Sequence, residues 1–289
     1  MEPAFLYPGD GEATSDRPDR TVRIKADTEA LVVTESRYPE GEHGPASHVH
    51  HRHTDAFYVL AGALVFEVGS ERRHVRADAG TFVAVPSETV HTFWNDGPGE
   101  AWFLNVHAPG ERFAEYLRAA RDGLPNPGFD TDDPPADGGR PAADVVIRRA
   151  GEGEEGAMGP AGAVITMTAD EADGTFTCTE ASLPAGSPGP PPHVHERITD
   201  SFYVLEGTPV IQLGDRTTAT LPGTFVVAPP GTVHTFANPG GRPARVLNLT
   251  APAGSEPSGR ELLTGRADEP DDPAPGADIG TRHDVHTAR

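Results

Sequence analysis

The chain has 289 residues, 36% of them hydrophobic and 7% aromatic, and a formal net charge of −21. That length suffices for two domains of ordinary size, and the negative charge argues against nucleic acid and anionic membrane surfaces as partners. A single cysteine, Cys178, permits no internal disulfide, and there is no run of about 18 apolar residues, so a reducing, cytoplasmic location is expected.

In chain order, residues 1–21 are polar and acidic, without periodicity, and read as a flexible N-terminal arm. Short runs rich in β-branched residues follow: Val22 to Lys25, Ala30 to Glu35, Phe57 to Leu60, Leu64 to Val68, Arg73 to Arg76, Thr81 to Val85, Thr92 to Trp94 and Ala101 to Val106. Gly, Asp and Pro separate them. Many short strands at close spacing predict a barrel or sandwich. Phe113, Tyr116, Leu117 and Ala120 recur at helical spacing before Gly123, which predicts one helix packed outside the first barrel. Residues 22–122 thus form the first domain. Residues 123–144, crowded with Pro, Asp and Gly, read as the interdomain linker. A second domain spans 145–253, and 254–289 reads as a disordered tail.

The two domains repeat each other. His48, His50 and Gly62 recur as His193, His195 and Gly207 at an offset of 145. After a shorter loop the offset is 143, which pairs Pro86, His91, Asn95 and Leu104-Asn105 with Pro229, His234, Asn238 and Leu247-Asn248. Each copy therefore holds a His-x-His pair, an aspartate (Asp55 or Asp200) and a distant histidine (His91 or His234). Residues i and i+2 of a strand share a face, so each His-x-His pair points one way, and a barrel can bring the other two groups inward. Three imidazoles and a carboxylate suit a divalent first-row metal with positions left open. His53 precedes the carboxylate and is an alternative to it as a ligand, but its odd spacing favours the opposite face. His43, His74 and His107 are expected in loops or facing solvent. The strand aromatics Phe57, Phe82, Phe93, Phe202, Phe225 and Phe236 are candidates for lining a substrate pocket, although each is more often core.

The two phrases resemble the two motifs of the cupin superfamily, and the run from Pro190 to Gly207 is similar to bacterial cupins of the quercetin 2,3-dioxygenase-like type. The resemblance implies an all-β chain of two tandem double-stranded β-helix (jelly-roll) barrels. It implies metal ligands His48, His50, Asp55 and His91 in one and His193, His195, Asp200 and His234 in the other, with Fe, Ni, Co, Mn or Zn as the ion. It departs from the family at the carboxylate, normally Glu, and at Ser87-Glu88, where the second copy keeps Gly231. Asp is one methylene shorter, so Asp55 and Asp200 are candidates either for ligation or for acting as a catalytic base. The expected activity is dioxygenation of a small oxygen-rich aromatic or enolic substrate, with dioxygen as co-substrate. The alternatives are a non-oxidative isomerase, cyclase or lyase, and a small-molecule-binding protein without turnover. A monomer or homodimer is expected.

Overall fold

The computed structural model describes residues 1–17, 19–158, 163–169, 175–253 and 286–287. Strands β1 (Ala4–Leu6), β2 (Glu12–Arg17), β3 (Arg20–Asp27), β4 (Val32–Tyr38), β5 (Thr54–Ala61), β6 (Ala63–Val68), β7 (Arg73–Asp78), β8 (Phe82–Val85), β9 (His91–Trp94) and β10 (Ala101–Ala108) precede helix α1 (Phe113–Arg121). After it come β11 (Val146–Arg148), β12 (Glu154–Met158), β13 (Ala163–Ala169), β14 (Thr177–Leu183), β15 (His193–Val194) and β16 (Thr199–Glu206). The series ends with β17 (Val210–Leu213), β18 (Arg216–Ala219), β19 (Phe225–Ala228), β20 (His234–Ala237), β21 (Ala244–Ala251) and β22 (His286–Thr287).

These strands make two compact units, each a two-sheet jelly roll. The first unit joins a seven-stranded sheet, ordered β11-β8-β5-β10-β4-β3-β2, to the three-stranded sheet β7-β6-β9. Its core comprises Phe57, Val59, Leu64, Phe66, Phe93 and Phe103, drawn from both sheets. Alternation sets the faces: in β7, Val75 and Ala77 are buried while His74, Arg76 and Asp78 face water. The second unit repeats the plan with β1-β19-β16-β21-β14-β13-β12 and β18-β17-β20-β15-β22. Phe202, Ile211, Val226 and Phe236 lie at its centre.

Three sequence expectations need correction. Residues 1–21 are not a loose arm. β1 pairs with β19 in the second unit, and β2 pairs with β3 in the first. Edge strands gain ladder hydrogen bonds whatever their polarity, so composition hid them. Residues 123–144 are not a bare linker either. Val49 and Asp132 exchange backbone hydrogen bonds, Thr89 bridges Gly139, and Phe129 and Asp130 are buried against the first barrel. The first unit also extends past residue 144, because β11 pairs with β8. The tail expectation falls outside the described residues, apart from β22, which pairs with β15. Among the described residues no helix is long and apolar enough to cross a membrane.

Candidate metal centres

Each centre is assembled where the two sheets of a barrel meet. His48 and His91 face each other across an antiparallel bridge, each backbone N–H donating to the other's carbonyl at 3.1 and 2.9 Å. His193 and His234 are paired in the same way in the second barrel. Asp55 and Asp200 sit near the starts of β5 and β16, on the larger sheets. The turn before His91 reads Pro86-Ser87-Glu88, and Glu88 adopts φ 63° where Gly231 has φ 81°. Glu88 thus takes the left-handed conformation without being glycine. The turn is the same in both barrels: the Glu88 N–H donates to His50 O at 2.6 Å, and the Gly231 N–H to His195 O at 2.7 Å. Asn95 and Asn238 tie the loops at the barrel edge by donating to Tyr38 O and Leu183 O.

The imidazoles are oriented from behind. His48 Nδ1–H donates to Ala46 O at 2.9 Å, His91 Nδ1–H to Thr89 O at 3.0 Å, and His50 Nδ1–H to Asp130 O at 2.5 Å. His193 and His234 donate likewise to Pro191 O and Thr232 O, both at 2.9 Å. A carbonyl only accepts, so each Nδ1 carries the proton and each neutral ring turns its Nε2 lone pair forward. Those lone pairs converge: Nε2 of His48 lies 3.2 Å from Nε2 of His50, and Nε2 of His91 lies 3.1 Å from Asp55 Oδ2. His234 Nε2 is likewise 3.1 Å from Asp200 Oδ2, and His195 Nε2 is 3.8 Å from the same oxygen. Acceptors facing acceptors in a buried site repel unless a cation sits among them. The donor set therefore fits a divalent metal, with backbone carbonyls fixing the tautomer as they do behind metal-bound histidines.

Both four-residue sets, His48/His50/Asp55/His91 and His193/His195/Asp200/His234, place their ligand atoms within 4.8 Å of one another. The two barrels also match the family model of the cupin domain, over residues 34–107 and 179–250. The chain belongs to the cupin family. Comparison with curated proteins gave no match. Among solved structures, this cupin is similar to protein Ylba from E. coli, with a TM-score of 0.62 and 13% identity over 86% of this chain and 90% of that one. It is similar to a putative glyoxylate induced protein from Pseudomonas aeruginosa, with a TM-score of 0.61 and 14% identity over 86% and 88%. A point variant of the oxalate decarboxylase of Bacillus subtilis gives a TM-score of 0.57 and 15% identity over 99% and 89%. Identities this low speak for the shared fold alone.

Burial and neighbouring charges together set the charge states of this cupin's candidate metal ligands. It pushes the His48 imidazole down to about 3, with His91 and His50 adding to the effect, and His193 down to about 4. His50 is lowered for the same reason. For Asp55 burial works the other way, but His107, His50 and His91 outweigh it and hold the carboxyl well below its ordinary range. Asp200 is lowered by His234 and His195 against burial. His234 is raised, because its hydrogen bond to Asp200 and that group's charge exceed the burial penalty. The carboxylates are held toward the ionised form and the rings of His48, His50 and His193 toward the neutral form, which is the state a metal requires.

The phenylalanine candidates divide. Phe57 and Phe93 pack with Phe66 and Phe103 inside the first barrel, their own centroids 4.9 Å apart. Phe202 lies 5.8 Å from the His234 ring and 5.5 Å from Phe236. Phe82 and Phe225 are corrections. Their neighbours Val83, Val85, Val226 and Ala228 point into the cores, so alternation turns both phenylalanines to the opposite face.

Two histidine expectations also fail. His53 is 1% exposed and His107 2%. The chain bends at residues 51–53, so strand parity does not carry through to His53. His107 belongs to β10, in register with Asp55. His43 and His74 are exposed, as expected. Asn105 and Asn248 were not among the expected site residues. Each donates from Nδ2 to Oδ1 of its aspartate, and to Ala56 O or Ser201 O at 3.1 Å. Their signal was the Leu-Asn repeat at the 143-residue offset.

Proposed function

We propose that this cupin is a metal-dependent dioxygenase acting on a small, oxygen-rich aromatic or enolic substrate that chelates the metal. The observation that carries the metal-dependent part is the convergence of three imidazoles and one aspartate oxygen in each barrel, with five Nδ1–H groups held by carbonyls. The dioxygenase part rests on the likeness of Pro190–Gly207 to quercetin 2,3-dioxygenase-like cupins. A divalent ion of Fe, Ni, Co, Mn or Zn would be held by His48, His50, Asp55 and His91, and by His193, His195, Asp200 and His234, and supplies Lewis acidity and, where redox-active, a route for dioxygen chemistry.

The chain's own residues do the rest. Carbonyl-tied rings keep the ligand geometry fixed before substrate arrives, which removes reorganisation from the reaction. Asn105 and Asn248 hold Oδ1 of each aspartate, directing Oδ2 toward the ring nitrogens. An aspartate held below its ordinary range is a weak proton acceptor and suits the role of anionic metal ligand better than that of base. The second reading, a non-oxidative isomerase, cyclase or lyase, needs only the metal as Lewis acid. The expected partners are the substrate and dioxygen, in a cytoplasmic monomer or homodimer.

The test is oxygen uptake with quercetin by protein reconstituted separately with Fe, Ni, Co or Mn. Uptake that depends on the metal supports dioxygenation. Anaerobic conversion without uptake moves the protein to the second reading, and tight quercetin binding without turnover makes it a binding protein. The double variants His48→Ala/His91→Ala and His193→Ala/His234→Ala then assign turnover to one barrel.

A further inference from the structure

The first barrel contains a buried chain of side chains whose two imidazoles are not repeated in the second. Asp130 Oδ2 accepts the backbone N–H groups of His51 at 3.0 Å and Arg52 at 2.7 Å, and the Nδ1–H of His53 at 3.1 Å. His53 Nε2 and His107 Nδ1 share a hydrogen bond at 2.8 Å. His107 Nε2–H donates to Asn105 Oδ1 at 3.1 Å and lies 3.4 Å from Asp55 Oδ1. Asn105 is thereby held at both ends of its amide, since its Nδ2 donates to Asp55 and to Ala56 O. Phe129 and Phe113 close over these rings, with Phe113 and His107 centroids 3.6 Å apart.

The second barrel shows that the fold does not need these imidazoles. At the 145-residue offset Ile198 stands for His53, and β21 sets Thr250 opposite Asp200 where β10 sets His107 opposite Asp55. Ile198 and Thr250 are both buried. Burying two imidazoles instead gives up apolar burial and costs desolvation of polar ring atoms. Such a network is worth its cost where it fixes an orientation that packing alone leaves free.

We propose that Asp130, His53 and His107 are positioning residues. Directly from His107 Nε2 and through Asn105, they fix the rotamer of Asp55, so that Oδ2 stays aimed at the Nε2 atoms, and this makes the first centre the more rigid metal site of the two. The proposal rests on the metal reading above, and its test needs no substrate.

The parent for the test is the full chain with His193→Ala and His234→Ala, loaded with Co(II), so that only the first centre reports. Grafting the second barrel's residues, His53→Ile with His107→Thr, is expected to leave one Co(II) per chain. It should weaken the Co(II) Kd about 10- to 100-fold, the usual cost of removing a partner behind a metal ligand, and shift the visible Co(II) bands. Asp130→Asn is the milder variant, with shifts in the same direction, and decides the question if the double graft does not fold. A Kd within about twofold and unmoved bands in a folded variant would overturn the proposal, since a purely structural network lowers the Tm without touching either. A parent that takes up no Co(II) refutes the metal reading of the first barrel, and the positioning role with it.

Discussion

Replacing Asn248 by alanine should damage the second centre more than the same change at Asn105 damages the first. Asn248 donates from Nδ2 to Asp200 Oδ1, a group that is 4% exposed. Residue 250, opposite Asp200, is a threonine. A hydrogen bond to a charged, buried acceptor contributes about 1.5–3 kcal/mol. Losing it frees Asp200 to rotate, and if the whole amount is felt in metal binding, affinity falls roughly 10- to 150-fold at about 1.4 kcal/mol per decade. At the first centre His107 Nε2 stays 3.4 Å from Asp55 Oδ1 after Asn105→Ala and replaces part of the lost contact. The loss there should be about 1 kcal/mol, roughly fivefold. The assay is Co(II) titration against a competing chelator in single-site chains, one lacking His48 and His91, the other lacking His193 and His234. Equal losses at the two centres, or a change below about threefold at the second, would refute the reasoning.

Other outcomes follow from the same geometry. Acidification should empty the second centre first. His234 is raised by Asp200, so a proton competes for its Nε2 at a higher pH than for the lowered His48, and Asp55 resists protonation further still; metal content against pH in the two single-site chains measures this, and simultaneous release would count against it. In the metal-free protein the raised His234 contributes stability that is present below the ordinary histidine pKa and is lost as pH rises through its own, while His193, lowered to about 4, destabilises as pH falls from 6.5 toward that value. Phe57→Ala should cost about 3–5 kcal/mol in denaturant unfolding, because the ring is fully buried among Phe66, Phe93 and Phe103; a cost below about 1 kcal/mol would return Phe57 to the pocket. Gly62→Ala should destabilise more than Gly231→Ala: both have positive φ, but a Cβ at Gly62 would clash with Glu100 O while one at Gly231 meets nothing, leaving a strain cost near 1–2 kcal/mol.

The eight ligand candidates were legible because their signals are local and doubled. A His-x-His pair has one strand parity, and the repeat offset located each distant histidine. The strands were legible for the same reason, from Arg20–Asp27 through Ala101–Ala108, within a few residues at each end. What escaped depends on tertiary contact. Asp130 lies in a Pro- and Asp-rich run whose composition is that of a linker, yet two backbone amides and His53 bury it. His53 was misplaced because parity was carried across a bend. β1 escaped because three residues are too few to show a period, and its partner β19 lies more than two hundred residues away.

The most direct test of the account is the metal content of the purified protein by elemental analysis, before and after the two double replacements. Two divalent ions per folded chain are expected, falling to one in His48→Ala/His91→Ala and to one in His193→Ala/His234→Ala. A folded chain that binds none after incubation with Fe, Ni, Co, Mn and Zn, or whose content neither replacement changes, would contradict it.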